Sequence, residues 1–479
     1  MNHHDGRVSR PATHLVSILC PGDLTNAEQL YESGGLVMLA ENLASRDERT
    51  QLQAASALSQ LSADPLQAGA IVENGCLQPL LHLLEHPNQE LKAYAAITFG
   101  NLCSSGSLSA TQLQHPSVLP HLVQMLSSSN ALAKGPAAAA IASMAADPSL
   151  RASLYELGGL PGLAALLSSD AETSYHAVQA VAQFAADERF RPVLVDAGAA
   201  PPLAALLPSH LPHVQQCALS AVANLSFVAS AVGPLCEAGA LTHVGQMLFA
   251  PDARVQTMCL TTLCNLLQGS PASADALLQV GGHMALLTQL SSPSPEAQSQ
   301  AAMALGHMCR HRDAVHAIVQ ADAVPLLAQL LHSPHPAVQL QAVYALGVLA
   351  AEDETAANAI QLAGAIAPLT TLLLSSSSVD VKQHLTLTLA HAARGNWRPI
   401  FNVGGFQALL DVLAVGTDAV QKDVASTIAT LVEDVHQRRA LLVRVLLPSG
   451  RERLRTARLF SVAMRARAAH PALETLASA

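Results

Sequence analysis

The chain has 479 residues, half of them hydrophobic, 13% charged and 3% aromatic with a single tryptophan, and its formal net charge is -10. So few aromatics and so negative a balance exclude a nucleic-acid surface built on base stacking and a basic groove. No apolar run reaches the roughly 18 residues that a membrane span needs, and the first residues, MNHHDGRVSR, lack the apolar stretch of a signal peptide, so neither a span nor secretion is supported.

In chain order, residues 1–12 are polar, contain Pro11 and are expected to lack fixed structure. An entry helix is predicted over 13–19, broken at Pro21-Gly22, and a second piece over 26–32 leads to Gly34; a longer helix is predicted over 48–61. Residues 70–105, AIVENGCLQPLLHLLEHPNQELKAYAAITFGNLCSS, then set out the unit that the rest of the chain repeats. It holds three helical pieces: one ending at Val72, a second over 77–84 and a third over 89–103, separated by Gly75 and by Pro87-Asn88. Glycine accepts the positive φ of a sharp break, and Asn88 is a residue type that caps helices. On the third piece Leu91, Tyr94, Ala95, Thr98 and Leu102 recur at helical spacing and make one apolar face. A unit of this size cannot bury that face alone, so it must stack on copies of itself.

The copies are present. Glycines stand just before a second helix at Gly34, Gly75, Gly158, Gly198, Gly239, Gly281, Gly364 and Gly404, and Pro116 and Asp322 fill the two gaps, ten anchors in all. The third copy is the most altered: its break is replaced by LQHPSVLPHLVQML, and Gly135-Pro136 fall inside its third helix, which predicts the least regular part of the stack over 110–136. Third helices of the following copies are predicted near 171–186, 212–228, 253–268, 295–310, 336–351, 379–394 and 418–433, entered through turns such as SSPSP and HSPHP. A last helix over 437–447 should cover the final apolar face. Residues 448–479 form a basic tail with an amphipathic helix over 451–468. From Asp434 onward nine arginines face three acids, a local +6 that leaves -16 for residues 1–433. Such a tail serves either as an attachment to an acidic partner or as a solvated cap.

A period near 40 with three helices, a glycine break as in DAGAAPPLAALL and EAGALTHVGQML, and third helices of the form ALSQL and ALSAVANL resemble the armadillo-repeat family over about residues 13–445. The resemblance implies an all-α fold, a right-handed superhelical α-solenoid of about ten armadillo repeats over residues 13–447 with capping helices at both ends. It also implies that the third helices line a concave groove, where a family asparagine hydrogen-bonds the backbone of an extended peptide. Aligned on their apolar positions, the ten third helices carry in one place Gln60, Asn101, Ser143, Gln183, Asn224, Asn265, His307, Val348, His391 and Thr430. Asn101, Asn224 and Asn265 match the family asparagine and are the first candidates for partner binding, followed by Gln60, Gln183 and His307. The alternative is that these side chains cap helix ends or bond a neighbouring loop. Nuclear-import adaptors of this family place a tryptophan four residues earlier. Here those positions hold Ser56, Ile97, Ala139, Gln179, Ser220, Thr261, Met303, Tyr344, Leu387 and Ser426, and the one tryptophan, Trp397, falls elsewhere.

No enzyme motif emerges. His82 with His86, and His307 with His311, have i, i+4 spacing but no completing carboxylate or cysteine, and the Gly-Gly pairs are helix breaks without the Lys-Ser/Thr of a phosphate loop. Eight irregularly spaced cysteines without a CxxC pair read as reduced core thiols. The expectation is therefore a non-catalytic, cofactor-free and metal-free scaffold that binds an extended segment of a protein partner in its groove. A structural component of a cytoskeletal or ciliary assembly is the alternative, and a nuclear-transport adaptor a further one. The expected location is cytoplasmic, with nucleus and cytoskeleton as variants.

Overall fold

The computed structural model describes residues 34–108, 118–128, 131–270, 273–376, 378–392 and 398–415, together with Gln421, Val424 and Thr427. The chain is an all-α solenoid: its described elements are helices, with no strand among them, joined by short turns at the 40-residue period. Expectations for residues 1–33, for Pro116, Trp397 and Thr430, and for everything after Thr427, including the basic tail, lie outside the described residues.

By packing, the chain divides into two units, one ending at His243 and one beginning at Val244. In the first unit the second repeat shows the full pattern, Pro65–Glu73, Leu77–Leu84 and Gln89–Ser104, as expected from its breaks. Its long third helix stacks between Glu48–Leu61 and Ala131–Met144, and the row continues through Ala171–Ala185 to Pro212–Leu225. In the second unit Ala253–Gly269, Pro295–Met308, Pro336–Glu352 and Val379–Ala392 form such a row. Leu58, Leu102, Leu225, Leu305, Leu346 and Leu389 are wholly buried in these rows, each contributing about 1.5–3 kcal/mol by leaving water.

Every described anchor adopts the left-handed conformation that its sequence position requires. Gly34, Gly75, Gly158, Gly198, Gly239, Gly281, Gly364 and Gly404 have φ between 71° and 80°, and Asp322 has φ 57°. Five third helices begin at side-chain caps: Asp47 accepts from Thr50 N–H, Asn88 from Glu90 and Leu91, Asp170 from Thr173, Asp252 from Arg254 and Ser294 from Ala297, whereas Leu211 and His335 precede theirs without a side-chain cap.

The third repeat departs from expectation in its described part. Ala131–Met144 is one helix that runs through Pro136. Small residues explain the close fit around it: a Cβ on Gly100 would lie 2.9 Å from Ala140 Cα, so the glycine lets the two backbones meet. Proline's missing N–H costs one bond near the start of the helix, and packing on both sides outweighs it.

Candidate functional site

The proposed binding positions sit near the C-terminal ends of the third helices, and burial gives them a common environment. In all nine described third helices the ladder residue reaches solvent, while the residue after it, from Leu61 and Leu102 to Leu349 and Ala392, is buried. The residue four positions earlier also reaches solvent in each, from Ser56 and Ile97 to Tyr344 and Leu387. Two positions one helical turn apart therefore make an open stripe on each described third helix.

Within that common position the side chains do different work. Gln60 and Gln183 are exposed and make no side-chain hydrogen bond among the described residues. Asn101 is half-buried, and its Nδ2 donates to Ser59 O at 3.2 Å and to Ser62 Oγ at 3.0 Å, which fastens its helix to the end of the preceding third helix. Asn224 Nδ2 donates to Ser220 O at 2.9 Å, and its Oδ1 accepts from Arg191 at 3.3 Å. Arg191 also donates to Ala185 O at 2.8 Å and lies 5.6 Å from the centre of the Phe227 ring, so it ties the ends of two successive third helices together. The amide donors of both asparagines thus serve contacts within the first unit. Asn265 is half-buried between Cys264 and Leu266.

His307, in the second unit, belongs to a row of rings. Its centroid lies 5.8 Å from that of Tyr344, and Tyr344 lies 5.9 Å from His384, both pairs edge to face. Gly306 makes the row possible: a Cβ there would stand 2.6 Å from Tyr344 Cε1. Burial, and secondarily Arg310, hold the His307 imidazole below its usual pKa, while burial raises that of Tyr344. Sequence reading placed His307 in the ladder and Tyr344 four residues before its next member; Gly306 was the available sign that the two would meet.

Among the described residues no three His, Cys, Asp or Glu side chains gather as metal ligands. Cys76, Cys259 and Cys264 are buried free thiols pushed up to about 12 by desolvation, far from thiolate reactivity. A groove of about 550 Å³ lies apart from the stripe, between the turns entering two third helices, lined by Leu290, Pro293, Gln298, Leu330, His332 and Pro334. No single described helix is long and apolar enough to cross a membrane.

Comparison with known proteins agrees with the repeat fold. Residues 64–104 match the Armadillo/beta-catenin-like repeat, and residues 284–390 match HEAT repeats. The chain is similar to an engineered protein solved by the Northeast Structural Genomics Consortium, with 28% identity, a TM-score of 0.59 and coverage of 82% of this chain and 96% of that one. A second engineered protein from the same consortium is 31% identical over 50% of this chain and 98% of its own, with a TM-score of 0.44.

Proposed function

This chain is an ARM/HEAT-type repeat protein, and we propose that it acts as a non-catalytic scaffold holding an extended segment of a protein partner along the open stripes of its third helices. The observation that carries this reading is the regular exposure of two positions per third helix beside a buried one. An extended chain needs backbone donors and acceptors at regular intervals and side-chain space between them, and Gln60 and Gln183 offer carboxamides that no hydrogen bond among the described residues occupies. Asn101 and Asn224 hold the stripe in place through their amide donors, and Asn101 Oδ1 is the half of its carboxamide that those bonds leave.

The test is affinity capture with the full chain, with a Gln60→Glu/Gln183→Glu variant, with Asn101, Asn224 and Asn265 changed together to Ala, and with a chain ending at Leu447. Loss of a captured protein in the first two variants, with helical content unchanged, is the expected result. Proteins lost only on truncation would move the function to the basic segment, and capture unaffected by either set of stripe substitutions would overturn the groove reading.

A further inference from the structure

The second unit carries a cluster of uncommitted hydrogen-bonding groups. The buried ring nitrogen of His307 is Nδ1, which has no partner among the described residues, so Nε2 is the nitrogen left toward solvent. Tyr344 Oη and the His384 ring nitrogens likewise make no hydrogen bond among the described residues and are not sealed in the interior. Arg310, one turn beyond His307, is exposed, and its positive charge acts on both His307 and Tyr344; Glu352 acts on the buried Cys309. In the neutral state each ring can present an N–H or O–H, and the guanidinium presents five more.

Donors thus predominate, and the charged side chain that acts on His307 and Tyr344 is positive although residues 1–433 sum to -16. The rings lie on three successive third helices, which suits a ligand that is itself extended rather than a small anion. Resting on the scaffold reading above, we propose that the His307, Tyr344 and His384 row with Arg310 is a recognition site for an acidic stretch of a partner protein. One carboxylate pairs with Arg310, where a planar fork accepts it in bidentate fashion, and the ring edges take the next acceptors along the segment. The apolar bodies of the rings and of Met303, which also reaches solvent, cover the intervening side chain.

The experiment is an array of random decapeptides probed with the full chain and with Arg310→Glu and Tyr344→Phe variants, each checked by thermal melting. Bound peptides should be enriched in Asp and Glu. Arg310→Glu should weaken the strongest of them at least about tenfold, as loss and reversal of a charge-assisted pair does, and Tyr344→Phe by a smaller factor at unchanged melting temperature. Enrichment in Lys and Arg, or acidic peptides indifferent to Arg310→Glu, would overturn the assignment while leaving the scaffold reading standing. No peptide bound by the unaltered chain would overturn both.

Discussion

Asp322 stands where eight repeats have glycine, with φ 57°, and among the described residues it is the one non-glycine with positive φ. A side chain with a Cβ pays steric strain there of about 1–2 kcal/mol, and the Asp322 side chain makes no capping hydrogen bond that would offset it. Asp322→Gly should therefore raise stability by up to about 1 kcal/mol, read as a higher denaturant midpoint at unchanged slope; a lower midpoint would show that the carboxylate contributes more than the strain removes. This anchor was legible in the sequence because left-handed backbone is a property of one residue and its position in the period. The roles of Asn101 and Asn224 were not. Both were placed in register correctly, yet the acceptors of Asn101, Ser59 and Ser62, belong to another repeat, and periodicity gives a side chain's face without its partner.

Between residue and fold lies a device that the periodic reading passed over. The fourth residue of five third helices is glutamine, and each reaches back to a carbonyl at the end of the preceding second helix or in the turn after it. Gln51 donates to Leu43 O at 3.0 Å, Gln215 to Leu207 O at 2.9 Å, and Gln256, Gln298 and Gln339 to Ala250, Ser292 and Ser333 O at 2.8 Å. Helix C-termini leave such carbonyls without intrahelical partners, and these amides satisfy them from across the turn. Gln298→Ala should cost about 1 kcal/mol in chemical denaturation, the usual net value of one such bond; no change in midpoint would mean that water replaces the amide without loss. The recurring glutamine was visible in the alignment of third helices. Attention to the apolar face hid it, because a clamp on a turn lies off that face. The third repeat shows the opposite error: Gly135-Pro136 weakens a helix in isolation, but the described helix is held by close packing at Gly100 and Ala140.

For the molecule as a whole, half-buried histidines make stability depend on pH. Burial lowers the pKa of His176, His283 and His307 in the folded state; Glu172 opposes this at His176, and Arg310 adds to it at His307. A folded-state pKa below the unfolded value means that the unfolded chain binds protons first. The stability contributed by these neutral rings is complete above the usual imidazole value of 6.5 and is lost as pH falls through the lower folded-state values. Melting temperatures followed from about pH 8 to about pH 5 should fall for the natural chain and fall less for a His176→Gln/His283→Gln/His307→Gln variant. Parallel curves would remove the histidines as the cause. The all-α solenoid was the most legible feature of the sequence, because a 40-residue period with a conformationally diagnostic glycine constrains backbone and packing together. The ring row of the second unit was only half legible: its members lie on separate helices, and Gly306 is what brings two of them together.

The spacing of the left-handed anchors, 40 to 42 residues between consecutive glycines such as Gly34 and Gly75, or Gly239 and Gly281, acts on the helices as a reading frame acts on codons. Loss of a single residue within a third helix would turn the remainder of that helix by about 100° and carry its open stripe toward the interior. Gain or loss of a whole period would leave every other stripe in phase. Divergence in this lineage should therefore run in two modes, free exchange of side chains at the open positions and length change in whole repeats, with short insertions confined to the turns.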